Sequence, residues 1–285
     1  MLDKRKGDSS SFDTNWKHRD ESSYTHWKKG KLENQVQLAF RNHWTLFSEL
    51  IKKQSKYNGG KRVLEVGCGR GSLSCYFSDA GYDCTLLDSS KTVLEVAKSI
   101  FKKNNLKGNF IVGDANDIKL PSKTFDIIFS IGLLEHFENI ENPLREQIRL
   151  LDKGGVWFGY IVPEYNNNIQ VEYEWINDIL KGYQNKKDDC SIKKEDIYRS
   201  DYGSERYIPV LDKLGLGKIQ SSGVYSLPMI SHSKDFPFSL MPKESELALT
   251  KYFEEKLEEK RTLTGTHPWL CDEGYGNAFL IWGVK

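Results

Sequence analysis

The chain has 285 residues, a length that fits one elaborated α/β domain better than two full-sized ones. Hydrophobic residues make up 38% and charged residues 28%, which supplies a sizeable core and excludes a chain disordered throughout. Forty-one Lys and Arg against 40 Asp and Glu leave a formal charge of +1, far from the basic excess that bulk nucleic-acid binding requires.

Residues 1 to about 15 are polar and rich in Ser, Asp and Lys, and are expected to form a mobile tail. From Asn15 to Gly30 the chain stays polar yet carries Trp16, Tyr24 and Trp27, large aromatics that predict a docking segment. Residues 31–56 read as an amphipathic helix, with Leu32, Val36, Phe40, Trp44, Phe47, Leu50 and Ile51 at helical spacing. Plain packing accounts for that helix as readily as a lid does.

A strand–helix alternation follows. Arg62–Val66 is a short apolar run entering glycines, the mark of a buried strand; Ser72–Asp79 reads as a helix stopped by Gly81. Cys84–Leu87 is a second strand, and residues 91–104 a second helix in the series, burying Val93, Leu94, Ala97, Ile100 and Phe101. Phe110–Val112 and Phe125–Ile131 are further strands. Residues 139–151 form a helix closed by Lys153-Gly154-Gly155, and Val156–Val162 is a fifth strand. This rhythm predicts a parallel sheet covered on both faces. After Pro163 it breaks: residues 164–201 are polar with isolated Tyr173, Trp175 and Tyr183, and residues 228–241 are again irregular. Between and beyond them lie a helix over 204–214, a strand over Lys218–Leu227, a charged helix over 243–261 and a last strand, Ala278–Val284.

The five cysteines (Cys68, Cys75, Cys84, Cys190 and Cys271) are odd in number, scattered and without a CxxC pair, so neither a disulfide framework nor a zinc site is expected. The N-terminal stretch has no apolar run after its basic residues and no segment approaches the ~20 apolar residues of a membrane span. A cytoplasmic, reducing location and no membrane partner are the expectation.

The most informative stretch is Val63-Leu64-Glu65-Val66-Gly67-Cys68-Gly69-Arg70-Gly71-Ser72, a strand running through three glycines into a helix. Glycine permits positive φ and close approach of a ligand, and the helix start offers free N–H groups. A dinucleotide turn places its third glycine at the sixth position, which here is Ser72, so a NAD-dependent dehydrogenase is disfavoured. Glu65, two residues ahead of Gly67, gains nothing beside a phosphate and much beside a cation. Asp88 ends the second strand about 20 residues on, where a carboxylate suits a ribose diol. Asp114 follows the third strand, placed to accept from an exocyclic amine while the next N–H meets a ring nitrogen.

Residues 60–162 therefore resemble the class I S-adenosylmethionine (SAM)-dependent methyltransferases, of the small-molecule type 11/25-like kind. The glycine motif matches Glu65–Gly71, with Gly67, Cys68, Gly69 and Gly71 at the turn; the ribose acid matches Asp88, followed by Ser89. The adenine motif matches Asp114 and Ala115, and the motif after the fourth strand matches Ser130–Phe137, including Ile131. The resemblance implies an α/β fold, a Rossmann-like, doubly wound, seven-stranded mixed sheet whose last strand pair is antiparallel. It also implies SAM as cofactor and S-adenosylhomocysteine as product. An N-terminal lid over residues 1–56 and a methyltransferase domain over 57–285, with cap insertions about 164–203 and 228–276, complete the expected organisation.

Methyl transfer from a sulfonium is an in-line displacement, so the protein needs a cavity that positions an acceptor and, for a hydroxyl or ammonium, a base. His136 is the candidate base, with Glu135 beside it to position the loop or cofactor. His18, His26, His43, His232 and His267 fall in the expected lid and cap. Trp16, Tyr24, Trp27, Tyr160, Glu164 and Tyr173 are the candidate acceptor-binding residues, with His136 among them and Trp175 nearby. Trp16, Tyr24, Trp27, Trp175 and Trp269 could box an ammonium or a flat ring, or serve as hydrophobic glue. No cluster has metal-ligand spacing. The expected function is methylation of an O or N atom of a small molecule, in specialised metabolism. A peptide or RNA acceptor, or a catalytically silent SAM-binding protein, are the alternatives.

Overall fold

Asn34 sets the start of the first helix, α1 (Gln35–Lys53): its side chain accepts the Gln37 N–H at 2.9 Å, and Lys52 and Lys53 sit in the last turn, where cations favour the helix dipole. The computed structural model describes residues 26–184, 198–230 and 241–285. Helix α1 turns Leu38, Ala39, His43, Leu46, Phe47 and Leu50 inward and leaves Val36, Phe40 and Trp44 half-buried on its flank. The inward stripe thus runs beside the predicted one, and it takes a histidine with it.

Five parallel strands with three helices between them follow: β1 (Arg62–Val66), α2 (Ser72–Asp79), β2 (Asp83–Asp88), α3 (Lys91–Lys103), β3 (Asn109–Val112), β4 (Phe125–Ile131), α4 (Glu141–Leu150) and β5 (Leu151–Ile161). Their register is parallel throughout, as in Val63 opposite Cys84 and Ile127, and Ile131 opposite Tyr160. Three of the strands read from sequence, Arg62–Val66, Phe125–Ile131 and Ala278–Val284, have the predicted bounds. Asp126 anchors β4 to β1, accepting from the Arg62 backbone N–H at 3.0 Å and from the guanidinium at 2.8 and 2.7 Å.

Three expectations are corrected. The 153–155 stretch does not close a helix: α4 ends at Leu150 and β5 begins at once, with Leu151 already paired to Phe125. The glycines form an irregularity inside β5, and Gly154, at φ 75°, donates its N–H to the Lys285 carbonyl at 2.7 Å. The 164–201 segment is not simply irregular, because α5 (Ile169–Gln184) occupies its first half. Among the described residues the sheet has eight strands rather than seven.

The remaining elements are α6 (Ile208–Lys213), β6 (Gly217–Val224), α7 (Lys243–Thr264), β7 (Leu270–Cys271) and β8 (Ala278–Val284). The sheet order is β3-β2-β1-β4-β5-β8-β6-β7, with β8 antiparallel to both β5 and β6. The extra strand, β7, has two residues and pairs only with Gly223 and Val224 at the end of β6, so the antiparallel pair is present with a short edge added.

Alternation on the strands separates two apolar layers. Val63, Phe129, Val156, Phe158 and Tyr160 pack with α1, α2, α3 and α7 on one face. Leu64, Val66, Ile128, Trp157 and Ile161 pack with α4 and α6 on the other. Helix α1 is fastened to the first layer by polar bonds as well. Buried Glu246 of α7 accepts the Gln35 backbone N–H at 2.9 Å, and the Gln35 side chain exchanges bonds with both backbone groups of Ile230.

Candidate active site

The turn after β1 is built on left-handed backbone: Gly67, Gly69 and Gly71 have φ of 68°, 51° and 66°. A Cβ on Gly67 would stand 2.7 Å from Leu133 Cδ1, and one on Gly71 would collide with Leu86. Glycine is thus required twice over, by conformation and by space. The Gly67 and Cys68 N–H groups both donate to the Leu87 carbonyl, at 2.8 and 3.0 Å. Asp88 completes the brace: one carboxylate oxygen accepts the Gly69 N–H at 3.0 Å and the other the Ser90 N–H at 2.9 Å. The ends of β1 and β2 are thereby held as one unit at the carboxyl edge of the sheet, where doubly wound folds bind ligands.

Glu65 lies beneath this turn, 4% exposed, and accepts a hydrogen bond from the Ser74 hydroxyl of α2 at 2.5 Å. Burial pushes its carboxyl up to about 8, against the opposing pull of Ser74. Near neutral pH it is a buried acid waiting for a positive partner. Burial also drives the Cys68 thiol well up, so that thiol is a packing group.

Ser89 is exposed next to Asp88, and Ile131 is half-buried at the end of β4. Asp114 is exposed just past β3, its carboxylate accepting the Asn116 backbone N–H at 2.8 Å and the Asn116 side-chain amide at 3.0 Å; Ala115 beside it is buried.

After β4, Gly132 donates its N–H to the Tyr160 carbonyl at 2.9 Å and the chain turns through a short 3-10 segment, Leu134–His136. His136 Nδ1 lies 2.7 Å from the Tyr198 carbonyl, which can only accept, so Nδ1 carries the proton and Nε2 the lone pair. Burial lowers its basicity and keeps the ring neutral. Glu135 is fully buried, its Oε1 4.0 Å from His136 Nε2, and burial raises its carboxyl to about 7. The segment 198–200, which nothing in the sequence singled out, backs this pair: Ser200 N–H donates to the Glu135 carbonyl at 2.9 Å, and its own carbonyl accepts the Glu164 N–H at 3.0 Å.

The other aromatic and histidine candidates separate. Trp16, His18, Tyr24 and His232 lie outside the described residues. Trp27 is buried against Tyr76, Glu164 is exposed, and Tyr173 and Trp175 on α5 are 38% and 61% exposed. The described tryptophans therefore form no common box. His26 meets the Ser72 hydroxyl at 3.1 Å and stacks on Phe40. His267 accepts the Trp269 backbone N–H at Nδ1, 3.2 Å, and donates from Nε2 to the Thr45 hydroxyl at 3.0 Å, a fully used structural ring. Trp269 gathers with His43, Tyr160 and Tyr225 instead: the His43 ring lies 4.6 Å from Tyr160 and 5.6 Å from Trp269, and Tyr225 stacks on Trp269 at 4.5 Å. Tyr225 was not anticipated. It is held at φ 66°, a left-handed conformation foreign to a bulky side chain, by its N–H donating to the Trp269 carbonyl and its carbonyl accepting from Asn277.

Comparison with known proteins agrees with this geometry. Residues 64–158 match the family model described as a methyltransferase domain. The chain carries a class I SAM-dependent methyltransferase domain. A ubiquinone biosynthesis O-methyltransferase of Pelagibacter ubique is 36% identical over 108 residues, which are 38% of this chain and 45% of that protein. A 2-methyl-6-phytyl-1,4-hydroquinone methyltransferase of Oryza sativa is 34% identical over 118 residues, 40% of this chain and 35% of that protein. The chain thus spans about half the length, or less, of these curated relatives. A SAM-dependent methyltransferase from Archaeoglobus fulgidus superposes with a TM-score of 0.52 over 86% of this chain and 94% of its own, at 14% identity, a likeness of fold alone. The residues present fit SAM on their own features: a turn of left-handed glycines at the end of β1, a carboxylate at the end of β2, and a buried acid suited to an ammonium. Among the described residues no helix is long and apolar enough to cross a membrane.

Proposed function

We propose that the protein transfers a methyl group from SAM to an oxygen or nitrogen atom of a small-molecule acceptor. The observation that carries this reading is the brace of Gly67, Gly69, Gly71 and Asp88 over buried Glu65, at the ends of two adjacent strands. Bound SAM supplies a methyl group on a sulfonium, already activated toward a nucleophile. Glu65 would take its ammonium, Asp88 its ribose hydroxyls, and Asp114 with the Ala115 N–H its adenine. Gly67 and Cys68 form the backbone floor, with Ser89 and Ile131 at its margins.

The chain's remaining work is orientation and proton handling. His136 presents a neutral imidazole whose Nε2 lone pair can accept the acceptor's proton. Glu135, whose Oε1 lies 4.0 Å from Nε2, stabilises the resulting imidazolium when its carboxyl is already ionised. An acceptor that is already a carboxylate or phenolate needs no base. The relative named a ubiquinone biosynthesis O-methyltransferase favours an oxygen acceptor, and the one named for a hydroquinone favours a ring substrate. Tyr160 near the end of β5 and Glu164 just beyond that strand are assigned to the acceptor side.

Calorimetric titration with SAM, S-adenosylhomocysteine and NAD tests the reading. Micromolar binding of both adenosyl ligands and none of NAD is expected. NAD binding alone, or no binding of any of the three, overturns it.

A further inference from the structure

The four rings gathered around His43 come from α1, the end of β5, the residue after β6 and the residue before β7, and they carry two unspent hydrogen-bond donors. The Trp269 indole N–H donates to His43 Nδ1 at 2.9 Å. Indole nitrogen cannot accept, so Nδ1 holds the lone pair and the neutral ring's proton sits on Nε2. Burial presses the His43 ring down to about 3, so this state persists at every physiological pH. No acceptor among the described residues meets Nε2. Tyr160, 3% exposed, has a buried hydroxyl beside the Trp269 indole N–H, and the hydroxyl's own proton meets no acceptor among the described residues.

Two donors walled by aromatic rings want one thing, an acceptor oxygen on a flat molecule. An ammonium would meet their hydrogens head-on. The strained Tyr225 backbone, held left-handed so that its ring stacks on Trp269, is a second mark of a purpose-built wall. The ring cluster also adjoins the proposed reaction centre, because the Tyr160 carbonyl receives the Gly132 N–H that begins the turn to Glu135 and His136.

We infer that His43 and Tyr160 form the acceptor's recognition seat, binding a ring oxygen of a hydroxylated or keto-substituted aromatic ring, with Trp269 as the positioning residue that fixes the His43 tautomer. This deepens the proposed methyltransferase reading and rests on it only for what happens to the bound ring.

The test is equilibrium binding of catechol, hydroquinone and choline to the full chain, with and without S-adenosylhomocysteine, in wild type, His43→Phe, His43→Gln and Tyr160→Phe. Both phenols should bind and choline should not. Tyr160→Phe and His43→Phe should weaken phenol binding about tenfold each, the loss of one hydrogen bond. His43→Gln, which keeps an N–H donor, should recover part of it, and S-adenosylhomocysteine affinity should stay within about twofold throughout. Nitrogen-15 NMR of the imidazole should find the His43 proton on Nε2 in wild type and on either nitrogen in Trp269→Phe. Equal phenol binding in all variants, choline binding instead, or no phenol binding at millimolar concentration each overturns the seat. Phenol binding without any adenosyl-ligand binding would sink the methyltransferase reading and leave the seat standing; the reverse would sink the seat alone.

Discussion

Glu65→Gln separates what the buried acid costs the fold from what it does for a ligand. In the ligand-free protein its carboxyl is raised from the ordinary 4.5 to about 8 by burial. The unfolded chain ionises it above pH 4.5 while the folded chain keeps the proton, so between those values stability falls as pH rises. At 1.36 kcal/mol for each tenfold, the wild type gives up on the order of 4 kcal/mol between pH 5 and pH 8 through this one group, an upper bound for a side chain that can relax. Glutamine keeps the oxygen that accepts from Ser74 and removes the ionisation. Urea denaturation of both proteins should therefore agree at pH 5 and diverge steadily to pH 8, with Glu65→Gln the more stable by several kcal/mol. SAM affinity should move the opposite way, falling roughly tenfold to a hundredfold as a charged hydrogen bond is lost. Wild-type binding at pH 7 should also release close to one proton, read by titration in buffers of different ionisation enthalpy; the variant should release none from this site. Parallel stability curves, or unchanged SAM affinity, would refute the assignment of a neutral buried acid awaiting an ammonium.

Asp88→Ala strips the partners from the Gly69 and Ser90 N–H groups and should reduce SAM affinity at least about a hundredfold by calorimetry; unchanged affinity removes Asp88 from the site. His136→Ala should lower turnover by roughly a hundredfold to ten-thousandfold with adenosyl-ligand affinity intact, and full activity would show that the acceptor needs no base. Because burial lowers the His136 pKa below 6.5, wild-type turnover should climb with pH only at the acid end and stay level from neutrality upward as far as this group is concerned. Gly67→Ala forces a side chain into left-handed backbone against Leu133 and should cost about 1–3 kcal/mol in denaturant unfolding; no loss would contradict the observed turn.

The turn proposed to hold the cofactor was legible because it is local. Strand β1, its three glycines and helix α2 occupy consecutive residues, and the alternation of apolar runs with helical periods announces the sheet that sets Asp88 beside them. What sequence patterning misjudged were places where side-chain burial outranked local turn chemistry. Leu151 is wholly buried and pairs with Phe125, so β5 begins before its glycines and absorbs them as an irregularity. Leu270–Cys271 is too short to show a period, and pairs because β6 offers an open edge there.

The proposed acceptor half was hidden for a different reason: the chemistry of a histidine is decided by which neighbour it meets. His43, His136 and His267 are indistinguishable as letters. An indole N–H from 226 positions away makes His43 a donor at Nε2, whereas a carbonyl 62 positions away makes His136 an acceptor at the same atom. His267 spends both nitrogens on Trp269 and Thr45 and has nothing left for a ligand. Aromatic content behaved likewise: Trp27 was taken into the core and Trp175 left on the outer face of α5, while Tyr225, unremarkable in sequence, was placed by a backbone conformation no pattern encodes. Binding the cofactor asks for backbone that a short motif can specify. Recognising an acceptor asks for side chains from α1, β5, β6 and the turn into β7 to arrive together, and that becomes visible only when the packing that unites them is known.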